Sequence, residues 1–233
     1  MNGILLVDKP SHWTSFDVVG RVRGLITKSV FNETGKKRFP VGHTGTLDPL
    51  ATGLLVLLLG TYTKRAPELT KLDKTYEVVM KLGEASTTGD DEGEKTAVSN
   101  REPLKSELVE VCKRFTGDSM QTPPTYSAIK VNGQRAYKLA RAGKTVVIEP
   151  RPVSIMTIQL EEYAYPLVRF TTHVSSGTYI RSLVEDMGKD LGTGAYMSGL
   201  RRTRIGRFDV HDAITVENLS PEIIAAHTTQ ELA

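Results

Sequence analysis

Leu54-Leu55-Val56-Leu57-Leu58-Leu59 constrains this chain more than any other stretch. Six apolar residues in a row are too few to span a membrane and read as a buried strand. The segment leading into them, Gly42-His43-Thr44-Gly45-Thr46-Leu47-Asp48-Pro49-Leu50-Ala51-Thr52-Gly53, is too irregular for a core element. Its glycines permit tight turns and close ligand approach. Pro49 biases Asp48 away from helical dihedrals. Asp48 is therefore a candidate nucleophile or base on a loop seated on a rigid strand. A turn before a strand, capped by Asp48, is the plain alternative.

At 233 residues the chain can bury one good core, or one core with an embedded subdomain. The single cysteine, Cys112, excludes an intrachain disulfide and a thiolate cluster, and its apolar neighbours at helical spacing point to a core position. The N-terminus reaches Asp8-Lys9 too early for a signal peptide, so no membrane and a cytoplasmic location are expected. The net charge of +3 is small, but the cations gather in blocks. Arg21, Arg23, Lys28, Lys36, Lys37 and Arg38 form one. Lys130, Arg135, Lys138, Arg141, Lys144 and Arg151 form a second, and Arg201, Arg202, Arg204 and Arg207 a third. Each alone suits a solvated face; together they favour a polyanionic partner. An acidic loop opposes them at Gly89-Asp90-Asp91-Glu92-Gly93-Glu94.

Periodicity predicts a strand over Ile4 to Val7, then a helix capped by Thr14 or Ser15 with Val18, Val22, Leu25 and Ile26 on one face. Ser29 to Pro40 reads as an exposed basic loop. Tyr76, Val78, Met80 and Leu82 alternate as a half-buried strand. Leu104, Leu108, Val111 and Phe115 mark a helix ended by Gly117. Gln121 to Ser127 is extended or turning, and a basic helix is expected from Gln134 to Ala142. A strand pair follows over Val146 to Leu160 and Leu167 to Ser175. Ser176-Gly177-Thr178 then turns into a helix burying Ile180, Leu183, Val184, Met187 and Leu191. Without a linker or repeat, one domain of α+β class is the economical reading.

Several chemistries lack their motifs. No P-loop lysine follows the Gly42 glycines, no histidine pair has a metal-binding interval, and no Gly-x-Ser-x-Gly elbow occurs. Carboxylate chemistry remains. An ionised attacking aspartate is best supported by a fixed cation in a partly dry pocket. Arg181, at the start of the helix after Gly177-Thr178-Tyr179, is a candidate, with an exposed helix arginine as the alternative. Tyr76 and Tyr179 suit stacking on a flat ring or simple packing. His43 suits a hydrogen bond within its loop.

In order along the chain, Gly3-Ile4-Leu5-Leu6-Val7-Asp8-Lys9-Pro10, the Gly42 to Gly53 segment, Lys74-Thr75-Tyr76, Pro123-Pro124-Thr125-Tyr126-Ser127-Ala128, Arg151-Pro152-Val153, Gly177-Thr178-Tyr179-Ile180-Arg181 and Leu200-Arg201-Arg202 closely resemble the TruB-type tRNA pseudouridine synthases. The resemblance implies the pseudouridine synthase fold, with a mixed, mainly antiparallel central sheet flanked by helices. It implies isomerisation of uridine at position 55 of the tRNA T-loop, with no cofactor or metal. Asp48 matches the family's essential aspartate and Arg181 would pair with it. Tyr76 would stack on the flipped uracil, Tyr179 and Leu200 would wall the pocket, and His43 would fill the space the nucleotide vacates. Lys64 and the second basic block would contact phosphates, the latter within an insertion over 121–146 that clamps the RNA arm. The expected protein is a monomer, a single domain over 1–233 without an appended PUA-like domain, its basic loop at 29–40 adding phosphate contacts. A tRNA-binding and folding module with secondary or no catalysis is the competing reading, and carboxylate hydrolysis of a glycoside the third.

Overall fold

The structure, a computed structural model, describes residues 1–34, 38–127, 129–131 and 133–230. The chain begins with β1 (Gly3–Lys9), α1 (Ser15–Thr34), β2 (Val41–His43) and β3 (Thr52–Leu59), then a 3-10 turn (Gly60–Arg65), α2 (Ala66–Leu69) and β4 (Lys74–Leu82). β5 (Glu84–Ser86), β6 (Lys95–Ala97), α3 (Lys105–Phe115), β7 (Gly117–Gln121), β8 (Lys130–Val131), β9 (Gln134–Arg135) and α4 (Ala136–Arg141) follow. The remainder holds β10 (Arg151–Ala164), β11 (Leu167–Val174), α5 (Ile180–Asp190), β12 (Ala195–Ile205), β13 (Phe208–Asp209), β14 (Ile214–Thr215) and α6 (Pro221–His227). Helices and a mixed, mainly antiparallel set of strands make the class α+β, as expected.

The chain divides into two compact units, Met1–Tyr76 with Arg201–Ala233, and Glu77–Leu200. The division falls inside β4 and β12, so no change of composition announces it.

In the first unit β3 is enclosed. It pairs antiparallel with β1 along the whole of β1, from Gly3 opposite Leu59 to Lys9 opposite Gly53. On its other side β2 pairs antiparallel with its C-terminal half, and Arg201 and Arg202 of β12 run parallel to Thr52 and Gly53. Leu55, Leu57 and Leu59 pack with Val18, Val22 and Ile26 of α1. Leu54, Val56 and Leu58 pack with Ile205, Phe208 and Val210. Burial on both faces explains why the run is continuously apolar rather than alternating. Each of these side chains stabilises the fold by about 2 kcal/mol through area removed from water.

Thr14 caps α1, its hydroxyl accepting from the Asp17 amide (3.1 Å) while Asp17 accepts from the Thr14 amide (2.8 Å). The helix then runs to Thr34, so the loop expected from Ser29 is helical over its first six residues. No glycine or proline falls between Ser29 and Thr34, which is the physical reason. Lys36 and Lys37 lie outside the described residues.

The second unit carries the β10–β11 hairpin with β7 paired to β10. α3 packs on β10 and α5. The strand expected from Val146 starts at Arg151, because its ladder partner β7 ends at Gln121, opposite Arg151. Gln134 and Arg135 pair with Lys130 and Val131 rather than opening the helix, which starts at Ala136. Leu104 stands at the N-cap of α3, 69% exposed, while Leu108, Val111 and Cys112 form its buried face. Burial pushes the Cys112 thiol up to about 11. The five positions expected to be buried on α5 are all buried. No helix among the described residues is long and apolar enough to cross a membrane.

Gly53 has φ 102°, and a Cβ there would lie 2.3 Å from the Arg202 carbonyl oxygen, its partner in the parallel ladder. The crowding atoms are all backbone of Arg202, so nothing flexible is there to yield. Gly53→Ala should lower stability by more than about 2 kcal/mol, read as a drop in urea midpoint.

Candidate functional site

In the first unit the Asp48 loop is tied down from three directions. From α1, the Ser15 hydroxyl accepts from the Leu47 amide (2.9 Å) and donates to the Leu47 carbonyl (3.2 Å). From the turn after β1, the His12 amide donates to the Pro49 carbonyl (2.8 Å) and the Ser11 hydroxyl to the Leu50 carbonyl (3.1 Å). His12 adopts a left-handed backbone, φ 64°, in making this turn. From β12, the Arg202 guanidinium reaches up to the carbonyls of Gly45 (3.0 Å, Nη2) and Thr46 (3.4 Å, Nη1), and its Nε donates to Leu54 (2.8 Å). Asp48 itself is half-buried, and the Ala51 amide closes a turn onto its carbonyl (3.1 Å).

Beneath the loop lie buried cations that sequence reading did not single out. Lys9 is fully buried and its Nζ donates to the carbonyls of Pro10 (2.8 Å), Trp13 (2.6 Å) and Pro49 (3.2 Å). Burial lowers it to about 8, opposed by attraction to Asp48. Lys74, buried and donating to the carbonyls of Thr70 and Leu72, is also lowered to about 8, by burial and then by Arg202. No sequence pattern marks a lysine whose partners are backbone carbonyls.

His43 is half-buried on β2 and its Nδ1 accepts from the Gly45 amide (3.2 Å). That nitrogen is therefore unprotonated. Burial, then Arg202, lowers the ring below the usual histidine range. The hydrogen bond within the loop is the one the sequence suggests. Tyr76 is buried at the start of β4, and Lys64 is exposed on the 3-10 turn.

In the second unit Arg181 is buried rather than exposed, 5% accessible, near the start of α5. Its guanidinium donates to the carbonyls of Thr88 (3.0 Å) and Tyr126 (2.9 Å) and stands 3.6 Å from Asp90 Oδ2. Asp90, buried in turn, accepts from the Thr88 hydroxyl and the Glu92 amide. Of the acidic loop, Asp90 is thus an internal counterpart of Arg181, while Asp91, Glu92 and Glu94 are exposed. Glu185 lies alongside, its carboxyl raised by burial. Tyr179 is held through its backbone, which both donates to and accepts from the Gln121 amide side chain (2.8 and 3.1 Å). Leu200 is half-buried on β12. Arg181, Tyr179 and Leu200 belong to the second unit, and Asp48, His43, Tyr76 and Lys64 to the first.

The basic blocks separate by environment. Lys130, Arg135, Lys138, Arg141, Lys144 and Arg151 are all exposed. The third block is mixed: Arg202 is buried, Arg201 half-buried, and Arg204 and Arg207 exposed. Arg201 forms a two-pronged ion pair with Asp8 (2.7 and 3.1 Å), Arg204 pairs with Asp209 (2.9 Å) and Arg207 lies over Phe208. Among the described residues no group of three His, Cys, Asp or Glu is placed to hold a metal ion.

The family model described as TruB family pseudouridylate synthase, N terminal domain, matches residues 32–180. The chain belongs to the TruB family. A second model, tRNA pseudouridylate synthase B C-terminal domain, matches residues 181–233. A protein named tRNA pseudouridine synthase B from Stutzerimonas stutzeri is 44% identical over 222 residues, covering 94% of this chain and 68% of that one. A protein of the same name from Opitutus terrae is 41% identical over 228 residues, 96% of this chain and 90% of the relative. Among solved structures, a chain in a Cbf5-Nop10-Gar1 complex superposes with a TM-score of 0.68 at 29% identity, covering 93% of this chain. This chain spans 53% of that longer one.

The two buried lysines give the first unit a defined pH dependence. Between about pH 8 and 10.5 the unfolded chain still holds protons that the folded chain has released, so their cost to stability is full below about 8 and is relieved as pH rises. Lys9→Met should lose about 2 kcal/mol at pH 7, because three carbonyls lose their donor. It should also show a shallower rise of urea midpoint between pH 8 and 10 than the unaltered protein.

Proposed function

We propose that this protein isomerises a uridine of tRNA to pseudouridine, acting at position 55 of the T-loop through Asp48. The observation that carries the reading is the Asp48 loop, a carboxylate on irregular backbone clamped by Ser15, His12 and Arg202, in a chain of the TruB family. Such clamping pre-organises a reacting group so that little ordering remains to be done in the transition state.

The reaction breaks the N1–C1′ bond, rotates the uracil and joins C5 to C1′; the C5 proton is lost to solvent and N1 gains one. Asp48 either attacks covalently or assists departure of the uracil. Arg181 supplies the fixed cation of the chemistry, its guanidinium held by bonds to Thr88, Tyr126 and Asp90. Tyr76 stacks on the extruded base, with Tyr179 and Leu200 walling the pocket and His43 entering the vacated space. Extrusion costs a few kcal/mol, which contacts to the flipped base and to phosphates must recover. The exposed cations from Lys130 to Arg151, with Lys64, are suited to those phosphates. Binding should accordingly weaken as salt rises.

Tritium release from a T-arm stem-loop carrying 5-tritiated uridine tests the reading. The unaltered protein should release tritium, and Asp48→Asn should slow release by at least about 1,000-fold with RNA binding retained. Arg181→Lys cannot bridge two carbonyls with one planar fork and should slow turnover by about 100-fold, mainly in kcat. Tight binding without release by the unaltered protein would select the RNA-folding module instead.

A further inference from the structure

Phe16 has no place in the reading so far. It is 67% exposed on the first turn of α1, the one aromatic among the strongly exposed large apolar side chains of the described residues. Two residues later the helix turns Val18 and Val19 fully inward, so the ring lies on the outer face. It meets His43 edge to face, ring centres 5.6 Å apart and planes at 84°.

Its position is fixed by the ties that hold the Asp48 loop. Ser15, its neighbour, is hydrogen-bonded in both directions to Leu47, the neighbour of Asp48. The Thr14–Asp17 cap fixes the helix turn on which Phe16 sits. Further along α1 the Arg23 guanidinium donates to the Val41 carbonyl (3.2 Å), anchoring the helix to β2 two residues before His43. One turn beyond Phe16, nothing lies within 4 Å of a Cβ placed on Gly20, which leaves the ring's surroundings open. Arg21 is exposed just over one turn along α1 and Lys28 about three turns along, while Asp17 beside Phe16 is occupied in the cap with Thr14.

We infer that Phe16 is a base-stacking residue of the RNA site, forming with His43 an aromatic corner for a second splayed nucleobase of the substrate loop. The inference rests on the RNA-modifying role proposed above. A flat, rigid, exposed ring beside cations suits a nucleobase attached to phosphate. Aromatic stacking is tolerant of base identity, so the corner would add affinity and register without reading sequence.

The test is binding and turnover of a T-arm stem-loop, with 2-aminopurine placed at each loop nucleotide other than the target. Phe16→Ala should weaken binding by about tenfold and raise KM similarly with kcat nearly unchanged. Phe16→Trp should keep affinity and Phe16→Leu should behave as Phe16→Ala. One labelled position should be quenched by the unaltered protein and regain fluorescence with Phe16→Ala. All variants should melt within a few degrees of the unaltered protein, since the ring is exposed. Unchanged affinity in Phe16→Ala, or full affinity in Phe16→Leu, overturns the stacking role. Binding with the expected quench but no tritium release overturns the proposed reaction while sustaining Phe16; release with Phe16→Ala indistinguishable from the unaltered protein does the reverse.

Discussion

A single buried guanidinium organises the first unit. Arg202 is 1% exposed, and its three nitrogens bond to carbonyls of Leu54, Gly45 and Thr46. Its backbone meanwhile pairs with Gly53 so closely that no side chain fits between them. One residue thus joins β12 to the central strand and supports the loop that carries Asp48. A buried cation is costly unless its donors are matched, and here carbonyls of an irregular loop do the matching. The loop and the arginine therefore need each other. The same charge lowers Lys9, Lys74 and His43, in each case secondary to burial.

The second unit solves a parallel problem with an acid. Arg181 is enclosed by the loop that contains Asp90 and by the segment that contains Tyr126, and both supply oxygen. Lys95 fastens the far side of that loop, donating to the Asp91 and Gly93 carbonyls (2.7 Å each) while lying 4.7 Å from the centre of the buried Tyr196 ring. The rigidity of Arg181 thus comes from loops, which hold their shape because their polar groups are internally satisfied.

Much of this architecture is legible in the chain. The face of α5 from Ile180 to Leu191 and the alternation of β4 from Tyr76 to Leu82 follow directly from periodicities of 3.6 and 2. β12 is not legible, because Arg201, Arg202 and Arg204 interrupt its pattern; two are satisfied by carboxylates and one by carbonyls distant in sequence. For the same reason the burial of Arg202 and the Arg201–Asp8 tie are invisible in a run of four arginines, because charge on a strand can be an internal tie. The end of α1 is not legible for a different reason, since a weakening apolar pattern does not stop a helix.

Sequence alone determined the strand at the centre, the irregular loop before it that carries Asp48, and the family to which the motifs belong. These are local matters of residue type, order and spacing. Tertiary structure alone decided which cations are exposed and which are buried, that Lys9 and Arg202 support the loop, that Asp90 faces Arg181, and that Phe16 stands against His43. Each of those depends on where groups distant in sequence meet, because a charge or a ring acquires its role from the dielectric and the partners around it.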